Sequence, residues 1–311
     1  MTAKKWAFLF PGQGSQSVGM GKNIAERFAG ARQVFEDADR ILGYKLSELM
    51  WQGPEETLRQ TQHTQPAIFT VSIAAQKILE ERGIQPAVVA GHSLGEYSAL
   101  VASGVLAFEK ALTIVKERGR LMEEAGRQSP GAMAAIVGLT EEQVRGICDT
   151  ARGEGVCEAV NFNAPDQIVI AGQASAIEKA VALASAQGAK RALRLNVSGA
   201  FHSSLMSPAA KDLERFLEPV AFQDARCPVV TNCDALPTRA GIELKKKLVT
   251  QINHPVLWER SVRAVAGLGV DGYLEVGPGR VLTGLLKRID RTLRGQCTED
   301  DPALEKMEVN S

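Results

Sequence analysis

The sequence predicts an α/β protein: a parallel sheet with both faces covered, and a smaller βαββαβ unit inserted into it. Three observations carry this. Short, continuous apolar runs such as residues 6–10 (WAFLF) and 87–92 (AVVAGH) alternate with helix-length segments, as buried parallel strands joined by helices do. Near Gly126 the order changes to strand, helix, strand, strand, helix, strand, the ferredoxin-like unit. Apolar residues make up 45% of the 311, enough for a sizeable core.

The first strand, residues 6–10, is stopped by Pro11 and Gly12. A helix is expected over about 66–82, a strand over 87–92 and a helix over about 107–125. The inserted unit reads as strand 132–138, helix 140–151, strands 157–162 and 167–172, helix 174–187 and strand 189–197. Its Ala164-Pro165-Asp166 turn suits a hairpin. The α/β pattern resumes with a helix at 205–217, strands near 229–231 and 272–276, and a short helix after Gly277-Pro278-Gly279. The expected division is a discontinuous large subdomain, 1–126 with 198–295, a small subdomain, 127–197, and a loosely ordered polar tail, 296–311. No internal repeat or low-complexity tract is visible.

Lys plus Arg and Asp plus Glu number 36 each. A chain with no basic excess is a poor candidate for nucleic-acid binding. The five cysteines are irregularly spaced and form no C-x-x-C pair, which speaks against a zinc site or a disulfide framework and for reduced thiols. The first apolar run is too short for a signal peptide, and no window approaches the roughly 20 apolar residues of a membrane span. A cytoplasmic protein without membrane contact is expected.

Residues 91–95 read Gly91-His92-Ser93-Leu94-Gly95, a G-x-S-x-G between an apolar strand and a helix-compatible run. This is the setting of a nucleophile elbow. The sharp turn strains the serine, and glycines on either side remove collisions. The helix that follows points its positive end at the reacting carbonyl. A plain glycine-flanked turn is the simpler alternative. A serine hydroxyl also needs a base. Of His63, His92, His202 and His254, position favours His202, in a small-residue loop between a strand and a helix. His92 adjoins the serine but points away from it. His63 and His254 read as loop residues near prolines. The loop Pro11–Gln16 follows the first strand, and a backbone N–H near Gln13 is a candidate oxyanion donor. It lacks the Lys-Ser/Thr ending of a phosphate loop.

Arg118 lies on the wrong face of its helix. At about 100° per residue, Ala111, Ile114, Val115, Leu121, Met122 and Ala125 fall within about 60° of it. A guanidinium in an apolar stripe needs an anion. That anion is either a protein carboxylate, in a structural ion pair, or a substrate carboxylate held by a two-bond fork.

Four motifs in order, FPGQGSQ at 10–16, GHSLGEYSAL at 91–100, GAFHS at 199–203 and QINHPVLW at 251–258, resemble those of malonyl-CoA:acyl carrier protein transacylases. These are also the acyltransferase domains of fatty acid and polyketide synthases. The resemblance covers about residues 5–290. It implies an α/β-hydrolase-like large subdomain with a ferredoxin-like insert and the active site between them. In that family's terms Ser93 is the acylated serine and His202 the general base and acid. The backbone carbonyl of Gln251 orients the histidine in place of a triad carboxylate. Gln13 and Leu94 supply oxyanion amides, and Arg118 grips the malonyl carboxylate. His92 is the usual neighbour of the serine, and Asn161 faces the same cleft. Phe201 crowds the acyl α-carbon, so malonyl should be preferred over methylmalonyl. The implied reaction is ping-pong transfer of malonyl from coenzyme A to the phosphopantetheine thiol of acyl carrier protein, by a monomer, with no metal or cofactor. The resemblance leaves open whether fatty acid or polyketide synthesis is served. The rival readings are a serine esterase, which needs a triad acid between serine and histidine in sequence, and a non-catalytic carrier-binding scaffold.

Overall fold

The computed structural model describes residues 4–299. The first described element is β1 (Trp6–Phe10), followed by four helices that no sequence pattern led us to expect: α1 (Lys22–Arg27), α2 (Ala29–Leu42), α3 (Leu46–Gln52) and α4 (Glu55–Arg59). Next come α5 (Thr61–Glu81), β2 (Pro86–Gly91), α6 (Gly95–Ala102) and α7 (Phe108–Gln128). The inserted unit is β3 (Ala132–Val137), α8 (Glu141–Ala151), β4 (Cys157–Ala164), β5 (Gln167–Gly172), α9 (Ala174–Ala186) and β6 (Arg191–Arg194). The chain returns through α10 (Ser207–Leu217), β7 (Val229–Val230), β8 (Pro237–Thr238), α11 (Gly241–Thr250), α12 (Trp258–Gly267), β9 (Gly272–Glu275), α13 (Val281–Ile289) and β10 (Gly295–Cys297).

Two sheets result, a mixed α/β architecture. The larger has the order β10-β9-β1-β2-β7-β8. Its strands are parallel except for the short β8, which runs antiparallel to β7. β1 is central and fully apolar because it is buried on both faces. Phe8 and Phe10 pack with the core of α2, α5, α6 and α7, while Ala7 and Leu9 pack with α12 and α13. The smaller sheet is antiparallel, in the order β4-β5-β3-β6. Its residues alternate between faces, as the pleat requires. Ala132, Ala134 and Ile136 of β3 pack on α8 and α9. Met133 and Ala135 point the other way, into a cavity shared with the larger sheet. Thr140 starts α8 with a reciprocal capping box to Gln143, which satisfies two otherwise orphaned N–H groups.

Three boundaries depart from expectation. α5 begins at Thr61 and carries Pro66 inside it, so His63 is helical rather than in a turn. Pro66 is the sixth residue of the helix, past the first turn, and it withdraws the N–H that the Gln62 carbonyl would otherwise accept. β6 spans only Arg191–Arg194 and is mostly exposed, a short edge strand where a longer one was expected. The polar tail does not begin at 296. Gly295–Cys297 add a parallel edge strand to β9, and Thr298 bonds to Gly277 and to the Glu275 carbonyl. The remainder of the expected tail, 300–311, lies outside the described residues.

Candidate active site

β1, β2 and β9 are neighbouring parallel strands, so the loops at their C-terminal ends gather at one end of the sheet. After β2 the chain turns through Ser93, at φ 51°, into α6. The left-handed backbone is a strain that a non-glycine residue holds only when its surroundings fix it. The turn closes because its glycines lack side chains. A Cβ on Gly91 would stand 1.9 Å from the Gly95 carbonyl carbon, and one on Gly95 would stand 2.0 Å from Phe10 O. A Cβ on Gly12 would stand 2.4 Å from His92 O, so the loop after β1 lies directly against the elbow.

Ser93 Oγ and His202 Nε2 are 2.7 Å apart, and His202 Nδ1 is 2.8 Å from the backbone carbonyl of Gln251. A carbonyl only accepts, so Nδ1 carries the proton and Nε2 presents a lone pair to the serine hydroxyl. His202 also has positive φ, 64°. It is only 3% exposed. Burial, then the positive charge of Arg118, drive its imidazole from the usual 6.5 down to about 3. It therefore stays neutral and able to accept a proton at neutral pH. Among the described residues no carboxylate hydrogen-bonds to it. The backbone carbonyl orients the ring, as the resemblance implies.

Arg118 is 1% exposed. Nη1 donates to Gln65 Oε1 at 2.7 Å, and Nη2 donates to Gln251 Oε1 at 2.9 Å and to Ser93 Oγ at 3.1 Å. Its Cζ lies 5.3 Å from the Tyr97 ring centroid, a cation–π contact. Every hydrogen-bond partner of the guanidinium is neutral, and among the described residues no carboxylate forms an ion pair with it. Among the described residues the structural ion pair is thus absent, and the guanidinium reaches Ser93 Oγ itself.

Above these groups lies a cavity of about 320 Å³, lined from both sheets. Gln13, His92, Leu94, Phe201 and Asn161 all line it with Ser93, His202 and Arg118. Among the described residues, neither the Gln13 nor the Leu94 N–H donates to a protein acceptor. Of the nine residues singled out in the sequence, Gln251 alone stands behind the wall, holding the others. His92 points away from Ser93, its Nε2 2.8 Å from Asn163 Oδ1 and its ring against Trp258. Asn161, 7% exposed, has no partner for Oδ1. Neither His63 nor His254 lines the cavity. His63 Nδ1 meets the Tyr44 hydroxyl, and His254 Nδ1 meets the Thr250 carbonyl and Asn253 Oδ1.

Four residues at the site escaped the sequence reading: Gln65, Glu96, Asn163 and Asn232. Asn232 Oδ1 accepts from the Ser93 N–H at 2.7 Å, and its Nδ2 donates to Gly91 O at 2.6 Å. Glu96 Oε2 accepts from Asn232 N at 3.0 Å and from Gln251 Nε2 at 3.1 Å. Glu96 carried the same signal as Arg118, a charge in an apolar helical run. Asn232 follows a two-residue strand and carried none.

The chain matches the family model described as the acyl transferase domain over residues 7–299. It is 45% identical to the malonyl CoA-acyl carrier protein transacylase of Bacillus subtilis over 302 residues, 97% of this chain and 95% of that one. It is 45% identical to that of Escherichia coli K12 over 301 residues, 96% of this chain and 97% of that one. Among solved structures it is similar to an acyl carrier protein S-malonyltransferase from Vibrio cholerae, at TM-score 0.91 and 46% identity, covering 94% of this chain and 96% of that one. It is also similar to a malonyl-transacylase solved with its type II PKS acyl-carrier protein, at TM-score 0.95 and 43% identity, covering 99% of this chain and 100% of that one. With a half-buried serine bonded to a buried histidine, no triad acid among the described residues, a match over nearly the whole length and this agreement in fold, the chain belongs to the acyl transferase domain family, alongside the malonyl CoA-acyl carrier protein transacylases.

Proposed function

We propose that the protein transfers malonyl from malonyl-CoA to the phosphopantetheine thiol of acyl carrier protein through an ester on Ser93, supplying fatty acid synthesis. The observation that carries the substrate choice is Arg118, a buried guanidinium beside the nucleophile with no protein carboxylate of its own. His202 Nε2 takes the Ser93 proton as Oγ attacks the thioester carbonyl. Imidazolium then forms near Arg118, which is costly. A malonyl carboxylate on the guanidinium offsets that charge and raises the basicity of His202. The N–H groups of Gln13 and Leu94 take the tetrahedral oxyanion. His202 returns its proton to the departing coenzyme A sulfur. The second half-reaction reverses the roles. The carrier thiol gives its proton to His202 as its sulfur attacks the ester carbonyl, and His202 returns the proton to Ser93 Oγ. Every step is proton transfer or acyl exchange, so the mechanism calls for no metal or cofactor.

In this reading the larger sheet with its helices is an α/β-hydrolase-like subdomain (1–126 and 198–295). Residues 127–197 are a ferredoxin-like subdomain that roofs the site. The βαββαβ order with antiparallel strand order β4-β5-β3-β6 supports the second description. Phe201, 6% exposed and lining the cavity, limits bulk at the acyl α-carbon, and Asn161 faces the acyl chain or its pantetheine. The protein acts as a cytoplasmic monomer. Among the described residues no disulfide forms and no helix is long and apolar enough to cross a membrane.

Intact-mass spectrometry after mixing with malonyl-CoA tests this. A lasting malonyl adduct is expected on the wild-type protein, discharged on adding holo-acyl carrier protein and absent from Ser93→Ala. An adduct that water discharges without the carrier protein would favour the esterase, and no adduct at all would favour the scaffold.

A further inference from the structure

A guanidinium as buried as that of Arg118 is costly without negative charge close by, yet its hydrogen-bond partners are Gln65, Ser93 and Gln251, all neutral. Negative charge stands one side chain behind them. Glu96, in the first turn of α6 and 1% exposed, accepts from Gln251 Nε2 at 3.1 Å. The same Nε2 donates to the Ser93 carbonyl at 2.9 Å, and the other end of that amide, Oε1, accepts from Arg118 at 2.9 Å. Turning the amide over would set Oε1 against a carboxylate and a carbonyl, and Nε2 against the guanidinium N–H. All of these contacts are repulsive, so the Glu96 carboxylate selects the orientation that gives Arg118 its acceptor. Through Asn232, whose N–H it also accepts, Glu96 supports the group that grips the Ser93 N–H.

We propose that Glu96 is a positioning residue and serves Arg118 as a counter-charge at one remove. Through the Gln251 amide it offsets the cost of burying the guanidinium and keeps it aimed at Ser93, and it leaves other donors for an incoming carboxylate. The idea rests on the malonyl-transfer reading above. A direct Glu96–Arg118 ion pair would fill the fork and shut a substrate carboxylate out. In the relayed arrangement, among the described residues, Arg118 Nε has no protein partner and Nη1 donates one hydrogen bond, so a carboxylate need displace only the Nη2 contact to Ser93 to take the fork. Burial opposes the charge on both Glu96 and Arg118, while each favours the charged form of the other. Burial raises the Glu96 carboxyl to about 7 although Gln251, Asn232 and Arg118 all pull it down, and Asp234 adds to the rise. Asp234 is itself paired with Lys247 at 2.8 Å, and the Cys233 thiol is pushed up by burial first and then by Glu96 and Asp234. In buffer well above that value Glu96 is charged.

The test compares Ser93 acylation rates from malonyl-CoA and acetyl-CoA in that buffer, with a thermal melt of each protein. In Glu96→Gln the malonyl rate should fall roughly 10-fold or more while the acetyl rate changes less than about 3-fold, so their ratio drops. In an Arg118→Ala background the same change should leave the ratio where Arg118→Ala has set it, because Glu96 acts through Arg118. An unchanged ratio in Glu96→Gln, with both rates falling alongside the melting temperature, would overturn the proposal. If Glu96→Gln does not fold, Glu96→Asp keeps the charge and should hold the ratio near the wild-type value. Collapse of that ratio to the Arg118→Ala value would equally overturn it. A wild-type protein that takes no malonyl at all would refute the malonyl-transfer reading instead.

Discussion

Arg118 concentrates the chemistry of this site at the residue scale. Both two-nitrogen edges of a guanidinium include Nη2, and Nη2 already donates to Ser93 Oγ and Gln251 Oε1. A carboxylate taking the fork must displace one of these. The longer bond, to Ser93, is the one an acyl group at the serine would replace. Arg118→Ala should therefore cripple malonyl transfer, since breaking a desolvated charge pair costs about 3–5 kcal/mol, roughly a hundredfold to a few thousandfold in rate. Acetyl has no carboxylate, so acetyl transfer should be unharmed or improved. Parallel loss of both activities with a lowered melting temperature would contradict this. His202 supplies a second expectation. Its imidazole lies at about 3 through burial first and Arg118 second. The acid limb of kcat/KM for acylation should then lie well below 6.5, and activity should persist as pH falls through that value. Removing the Arg118 charge favours imidazolium, so the limb in Arg118→Ala, followed with acetyl-CoA, should move up in pH. An acid limb near 6.5 in the wild-type enzyme, unmoved by the substitution, would remove Arg118 from the control of His202.

At the scale of elements, the elbow between β2 and α6 is the feature most legible in the sequence. Gly91 and Gly95 flank Ser93 because the strand, the loop after β1 and the helix start converge there, leaving backbone atoms where side chains would be. Gly95→Ala would press a methyl onto Phe10 O, at 2.0 Å, and Pro11 O, at 2.9 Å, and neither can rotate away. Overpacking of this kind costs about 1–3 kcal/mol or more, and here it also parts the Gln13 loop from Ser93. A lowered melting temperature and a larger loss of acylation are expected. The control is Gly146→Ala in α8, where an added Cβ meets nothing within 4 Å. That change should be neutral, or stabilising by up to about 1 kcal/mol. Equal behaviour of the two variants in melts and acylation would show that the glycines of the elbow are not there for space. The elements that the sequence misplaced are those whose limits depend on partners. α5 runs through a proline because its first turn is held from outside the helix, as by Thr64 Oγ1 donating to Leu58 O. β10 is a strand only because β9 offers it an edge. Residues 17–60 gave no expectation, yet they fold as four helices, and α2 packs on α5 and α7.

At the scale of the whole molecule, the site is a seam between two sheets. The larger sheet delivers Ser93 and the Gln13 loop. α7 delivers Arg118, the loop before α10 delivers His202, and the turn after α11 delivers Gln251. The small sheet turns its second face, with Met133, Ala135 and Val169, over the nucleophile as a largely apolar roof. Such a roof excludes water from a reactive ester, the requirement that separates a transferase from a hydrolase. The sequence by itself determined the strand–helix alternation, the βαββαβ insert, the elbow at Ser93 and the anomaly of Arg118. Each of these is written in local periodicity or in a steric demand among near neighbours in the chain. The tertiary structure decided which groups Arg118 meets. Whether a buried guanidinium meets a protein carboxylate or waits beside a nucleophile depends on residues 53, 25 and 133 positions away. It likewise set the Gln251 carbonyl 2.8 Å from His202 Nδ1, 49 positions along the chain. It also decided that Glu96 and Asn232 brace the elbow, because hydrogen bonds across such distances leave no periodic trace in the chain.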